Sequence, residues 1–263
     1  MQTQPPAADY VDPYAGYDDI HLRLAEWAID KTGERTPVAM ADFFEMIWTN
    51  HAAPVRDVLE LCCGFGRNLR VLVERGFSVT GVDRSPSMLA RARKELGDEV
   101  ELIRADLPDL PVRRQVDAVV CPGTAFNHVA GESQLGRTFA EVARVLPSGR
   151  TFMFDLMSWH MLKEAFRDND LAVDLGDVAA FWRFDSDPAT DYCEYHSTQF
   201  IETDAPGLYR VEREVHHLRA FQREAIRRMA TAAGFREATV YDNYTTRPAS
   251  NDTLYETWVL VRR

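Results

Sequence analysis

Between Val55 and Met157 the chain alternates short apolar runs with amphipathic stretches, and this rhythm restricts the fold more than any other feature. VRDVLEL reads as a buried strand, and NLRVLVERG reads as a helix that Gly76 ends. FSVTGVD is a second strand. Ser85 and Pro86 suit the cap and first turn of a helix running to Leu96, which Gly97 terminates. VELIRADL and VDAVVC make the third and fourth strands. Leu135, Phe139, Val142, Ala143 and Leu146 then mark one helix face, before the turn PSG and the fifth strand RTFMFDL. Strands joined by helical crossovers run parallel, which predicts a sheet with helices on both faces.

Outside this block the pattern changes twice. Ahead of it, residues 1–13 carry Pro5, Pro6 and Pro13 and read as a loose tail. Ile20, Leu24 and Trp27 share one helical face, and Met40, Phe43, Phe44, Ile47 and Trp48 share another. Beyond Trp159, AAFWRF, DYCEYHSTQFI and LYRVEREVHHL read as strands without helices between them, hence a small antiparallel sheet. FQREAIRRMATAAG is a helix ended by Gly234, its Arg223, Arg227 and Arg228 forming a solvated face. FREATVYDNY and DTLYETWVLVRR close the chain as two strands. The predicted fold is α/β: a Rossmann-like, doubly wound, mostly parallel seven-stranded sheet with an antiparallel last strand. The expected organisation is an N-terminal helical lid over residues 1–52, a core over 53–157 and 219–263, and an antiparallel insert over 158–218.

Composition removes several function classes. The net charge of −11 argues against a nucleic-acid binder, which needs clustered lysine and arginine. No apolar run approaches a membrane span, and MQTQPPAADY lacks the features of a secretion signal, so a cytoplasmic protein is expected. The four cysteines, at 62, 63, 121 and 193, form no C-x-x-C pair. Adjacent Cys62 and Cys63 at a strand end point in different directions, which disfavours a shared metal. No metal is expected.

The turn after the first strand carries the functional signal. Gly64 and Gly66 sit one residue apart, but Arg67 stands where a dinucleotide fingerprint needs its last glycine. Asp83 ends the second strand and supplies a carboxylate for ribose hydroxyls. A tight turn against a nucleoside fits these residues, and a pyrophosphate cradle does not.

DVLELCCGFGRNLRVLVERGFSVTGVDRSPSMLARAR resembles the first half of a class I S-adenosylmethionine-dependent methyltransferase. The signature reads Glu60, Cys62, Gly64, Gly66, with Cys62 in place of the usual first glycine. The resemblance covers roughly residues 55–157, and the closing helix and strand pair fit it as well. It implies S-adenosylmethionine as cofactor, S-adenosylhomocysteine as product, and a backbone from Cys62 to Gly66 that faces the cofactor. It further implies that Asp83 holds the ribose, that Arg84 flanks the adenine and that Asp106 receives the adenine amino group. Met88, Ala105, Leu107 and Cys121 complete the implied cofactor set.

The remainder is similar to small-molecule N-methyltransferases of antibiotic pathways, including aminosugar N,N-dimethyltransferases and lincosamide N-methyltransferases. VDAVVCPGTAFNHV and DPYAGYDDI carry this second likeness. It implies a small-molecule amine as partner, with no nucleic acid and no membrane, and leaves homo-oligomerisation open. His128, just past the fourth strand, lies at the edge where open α/β sheets bind ligands, and it is the expected general base. Tyr14 and Tyr17 are placed to cover the cofactor and orient the amine. Phe126, His160 and His216 are candidate pocket residues. Alternation along a strand splits Glu194, Tyr195 and His196 between two faces, so that cluster is discounted. O-methyl transfer, a nicotinamide oxidoreductase and a non-catalytic cofactor binder remain as alternative readings.

Overall fold

The computed structural model describes residues 12–17, 19–30, 35–51, 54–167, 170–187 and 189–263. Pro5 and Pro6, and with them most of the expected loose tail, lie outside the described residues.

Five short, apolar strands make the parallel part of the main sheet: β1 (Asp57–Leu61), β2 (Ser78–Asp83), β3 (Glu101–Arg104), β4 (Ala118–Cys121) and β5 (Thr151–Met157). The chain's last two strands, β10 (Phe235–Asp242) and β11 (Tyr255–Arg262), complete it. The order is β10-β11-β5-β4-β1-β2-β3, with β11 antiparallel to both of its neighbours. Such a strand, buried on both faces and between two ladders, must be almost wholly apolar, as TWVLV is.

Side-chain alternation along the strands feeds two cores. On one face Leu59, Leu61, Phe152 and Phe154 meet α5 (Glu132–Val145) and α6 (Arg223–Ala232). On the other, Val58, Met153 and Val259 meet α2 (Pro37–Asn50) and α3 (Arg67–Glu74). The adjacent cysteines divide as alternation requires, Cys62 packing on the first core and Cys63 within the second. Helix starts follow cap chemistry: Thr36 Oγ1 accepts from the backbone of Ala39, and Ser85 Oγ caps α4 (Pro86–Leu96) through Met88.

The insert is a four-stranded antiparallel sheet in the order β6 (Asp170–Asp174), β7 (Val178–Ser186), β8 (Tyr192–Glu202), β9 (Tyr209–Arg219). β6 is absent from the sequence expectation because DLAVD is a short edge strand with four of its five residues exposed, so it carries no alternation. Helix α1 (Asp19–Asp30) packs Leu24 against Val178, Ala180, Trp182 and Ile201 of this sheet. Glu194 and His196 lie together, 3.1 Å apart, while Tyr195 faces the other way, as alternation predicts. On the late helix Arg227 and Arg228 are exposed, as expected, Arg228 pairing with Glu132 at 2.6 Å, while Arg223 is half-buried against Glu256 at 2.7 Å. No helix among the described residues is long and apolar enough to cross a membrane.

Candidate active site

At the C-terminal edge of β1, β2 and β4 lies a cavity of about 600 Å³, within the range of small-molecule sites. Its floor is the turn after β1. Cys62 takes a left-handed conformation there (φ 53°), which explains why glycine also suits this slot. Gly64 (φ 54°) follows, and its backbone N–H donates to Asp83 Oδ2 at 2.8 Å. The second Asp83 oxygen accepts from the backbone of Ser85, also at 2.8 Å. Asp83 is therefore the staple that joins the glycine turn to the start of α4. Burial pushes its carboxyl up, against the pull of these backbone bonds.

The remaining wall comes from three stretches. Arg84 and Met88 follow β2, and Ala105, Asp106 and Leu107 follow β3, with Arg84 Nη1 3.8 Å from Asp106 Oδ1. β3 is shorter than VELIRADL suggests because these last residues leave the ladder to line the cleft. Gln134, at the start of α5, reaches the same wall; its Nε2 donates to the Leu107 carbonyl at 2.6 Å and its Oε1 accepts from the backbone of Ala130. Glu60 lies beneath, wholly buried, with Asn68 as its hydrogen-bond partner and Oε2 without one among the described residues. Burial, then Asn68 in opposition and the Asp83 charge, brings its pKa up to about 8.

The far end of the cavity is built by the short 3₁₀ turn Ala125–His128 after β4. Asn127, fully buried, anchors that turn from both sides. Its Oδ1 accepts from the Met157 backbone at 2.9 Å, and its Nδ2 donates to the Arg219 carbonyl at 2.8 Å. His128 consequently stands edge-on to His216 of β9, ring centroids 6.0 Å apart. The His128 ring is walled by protein yet open to the cleft. Burial, aided by His216 and Arg84, pushes its pKa down to about 4, so the imidazole is neutral at pH 7.

The N-terminal segment roofs this end. Asp12 binds Ser85 and Ser87 at the start of α4, with its Oδ2 2.8 Å from Ser87 Oγ. Tyr14 lines the cavity and meets Tyr17 edge-on at 5.2 Å. Tyr17 OH donates to Glu214 Oε2 of β9 at 2.9 Å, and His21 pairs with Glu212 at 2.7 Å. The roof is thus tied to the core at one end and to the insert at the other.

Residues 58–149 match the methyltransferase domain family. Over 243 residues the chain is 26% identical to a glycine/sarcosine N-methyltransferase of Parasynechococcus marenigrum, spanning 90% of this chain and 79% of that protein. It is 31% identical over 149 residues to a dTDP-3-amino-3,6-dideoxy-alpha-D-glucopyranose N,N-dimethyltransferase of Streptomyces fradiae, spanning 56% of this chain and 54% of the relative. The chain is an S-adenosylmethionine-dependent methyltransferase. Its fold matches that of the sugar N-methyltransferase KedS8 of Streptoalloteichus with a TM-score of 0.77 at 22% identity, covering 100% of this chain and 98% of the other.

The cavity of this methyltransferase fits its cofactor. Asp83 and Asp106 present carboxylates able to accept from hydroxyl and amino groups, and the Glu60 oxygen without a partner among the described residues is able to accept from an ammonium. The structure brings Glu60, Cys62, Gly64, Asp83, Arg84, Met88, Ala105, Asp106 and Leu107 together around the cavity, with Tyr14 and His128.

Other expected site residues lie elsewhere. Gly66 is not part of the wall: a Cβ there would come within 2.8 Å of Leu96, so its role is close packing of the turn on α4. Cys121 is fully buried behind Cys62. Phe126 is not a pocket residue, because its ring is buried among Phe139, Phe152 and Phe154. His160 pairs with Glu164 at 2.9 Å away from the cavity wall. Tyr17 and His216 are not among its lining residues but adjoin two that are, Tyr14 and His128. Gln134 and Asn68 were not anticipated, since a lone amide near a helix start looks like ordinary surface. Among the described residues no group of three His, Cys, Asp or Glu is arranged to hold a metal ion.

With Glu60 as the seat of the cofactor's ammonium, binding is expected to be sensitive to pH. With a pKa of about 8, the free carboxyl is mostly protonated at pH 7, whereas a bound ammonium favours the carboxylate. Binding is expected to release close to one proton at pH 7, and affinity is expected to rise with pH up to about 8. Titration calorimetry in buffers of different ionisation enthalpy measures this, and Glu60→Gln abolishes the release.

Proposed function

We propose that this methyltransferase acts on the amine nitrogen of a small molecule, an amino sugar or another amine intermediate of natural-product biosynthesis. The observation that carries this reading is the His128 imidazole at the far end of the cofactor cavity, whose lining also includes Tyr14. The activities of the relatives, which methylate glycine, sarcosine and an aminosugar nitrogen, support the same class of acceptor. We assign residues 53–157 and 219–263 to cofactor binding, and residues 1–52 and 158–218 to shaping the acceptor side.

S-adenosylmethionine, when bound, would supply an electrophilic methyl carbon on a sulfonium sulfur, open to attack by an amine lone pair with the carbon–sulfur electron pair leaving on sulfur. The protein's part is to make that lone pair available and to aim it. An alkyl amine is mostly protonated at pH 7, and each pKa unit above 7 costs about 1.4 kcal/mol to reach the free base. His128, neutral and with no hydrogen bond to a described residue, accepts an N–H of the entering amine. The roof from Asp12 to Tyr17 limits water and restricts the acceptor's approach.

His128→Ala is expected to lower kcat about 10²-fold while leaving cofactor affinity within about twofold, as read by steady-state kinetics and calorimetry. The acceptor class is tested by offering the protein isotopically labelled S-adenosylmethionine with a panel of amino sugars, amino acids and their hydroxyl counterparts. A mass shift confined to the alcohols would overturn the amine assignment.

A further inference from the structure

The proton of the acceptor amine needs a destination, and His128 is a poor one. Its pKa of about 4 lies far below that of an alkyl ammonium, so a proton held there would return to the amine. No hydrogen bond to a described residue fixes its tautomer either.

A better-equipped group stands beside it. His216 Nε2 lies 3.2 Å from Glu214 Oε2, and the same oxygen accepts from Tyr17 OH at 2.9 Å. A carboxylate on Nε2 holds the hydrogen on that nitrogen and leaves the lone pair on Nδ1, which bonds to no described residue. Glu214 remains ionised, its pKa lowered by bonds from His216 and Tyr17 and by the nearby His21, against the opposing effect of burial. Glu214 Oε1 makes no hydrogen bond to a described residue. Tyr195 of β8 packs on the His216 ring at 5.4 Å, fixing the imidazole between β8 and the His128 turn. Tyr14, Tyr17, Glu214, His216 and His128 thus form a continuous arc that begins and ends on cavity-lining residues.

We propose that Tyr17, Glu214 and His216 form the acceptor-amine subsite, in which a cationic amine is bound by the Glu214 charge and deprotonated by His216. The acceptor enters as an ammonium ion. One of its N–H bonds breaks, the electron pair stays on nitrogen, and the proton passes to His216 Nδ1. A second N–H is accepted by His128, which aims the new lone pair at the cavity. The imidazolium returns its proton to solvent when the product leaves. This subsite rests on the methyltransferase reading, and it selects acceptors that are positively charged at neutral pH over neutral hydroxyl compounds.

The test does not require the natural acceptor. Sinefungin, an analogue of S-adenosylmethionine, carries an amine where the transferable methyl would lie, whereas S-adenosylhomocysteine carries nothing there. Affinities for both ligands are measured by calorimetry on the full chain and on Glu214→Gln, Glu214→Asp and His216→Asn. Losing the Glu214 charge next to His216 is expected to weaken sinefungin about tenfold in Glu214→Gln. His216→Asn is expected to show a smaller loss and Glu214→Asp to recover most of the affinity, with S-adenosylhomocysteine binding unchanged throughout. An equal loss for both ligands would make Glu214 structural, and unchanged sinefungin affinity would remove the subsite. Failure of the wild-type chain to bind S-adenosylhomocysteine would instead remove the cofactor assignment, and the subsite with it.

Discussion

Replacing Asp83 with alanine is expected to weaken S-adenosylmethionine binding about 10²- to 10³-fold, the largest single effect on the cofactor site. Two contributions combine. The assigned role of this carboxylate is to accept the ribose hydroxyls, and hydrogen bonds to a charged group are worth roughly 1.5–3 kcal/mol each. The side chain also holds the Gly64 and Ser85 backbone N–H groups, which alanine would leave without partners. Loss of that staple is expected to destabilise the fold by about 1–3 kcal/mol, lowering the Tm. Calorimetry with S-adenosylhomocysteine and a thermal melt separate the two contributions. Weakened binding with an unchanged melt would assign Asp83 to the ribose alone, and the converse would make it purely a loop staple.

Arg35→Ala is expected to be the most destabilising substitution outside the apolar cores, costing about 3–5 kcal/mol. Arg35 and Asp155 form an ion pair of 2.6 Å with side chains only 3% and 0% exposed, so removing either leaves a buried charge alone. The guanidinium also lies over the Tyr255 ring at 4.2 Å. The pair stands close to the chemistry, because Asp155 Oδ1 accepts from the backbone of Thr124, where the turn carrying His128 begins. Denaturant melts of Arg35→Ala, Asp155→Ala and the double variant test this. The double variant should cost much less than the sum of the singles, and simple additivity would show that the two groups do not depend on each other. The Asp155 variant should in addition lower kcat, since it releases Thr124, whereas Arg35→Ala should act mainly on stability.

The legible part of this protein is local. Strand and helix periods, Ser85 as cap, Gly97 as stop and the Gly64 turn with Asp83 at the end of the next strand all depend on backbone sterics and bonds spanning a few residues. They were enough to predict the parallel sheet and to nominate the turn after β1 and His128 as candidate site residues. Where local pattern misled, a residue's neighbours were distant ones. Phe126 sits beside His128 in the chain and looks like pocket, yet Phe139, Phe152 and Phe154 draw it into the core. Gly66 belongs to the glycine motif, but its left-handed backbone (φ 87°) and its packing on Leu96 demand it, while it does not line the cavity. His216 was one histidine among seven until β9 set it against His128 and Glu214 met Tyr17 across a separation of 197 residues.

By itself the sequence determined the class of fold and a turn suited to a nucleoside, because a tight turn and a carboxylate at the end of the next strand act through short-range geometry; the methyl donor followed from the resemblance of that stretch to a methyltransferase. Only the tertiary structure decided which charged groups are buried and with whom they pair: Glu60 raised by burial, Arg35 beside Asp155, His216 beside Glu214. Desolvation and ion pairing depend on what the whole chain packs around a group, and no local stretch of sequence records that.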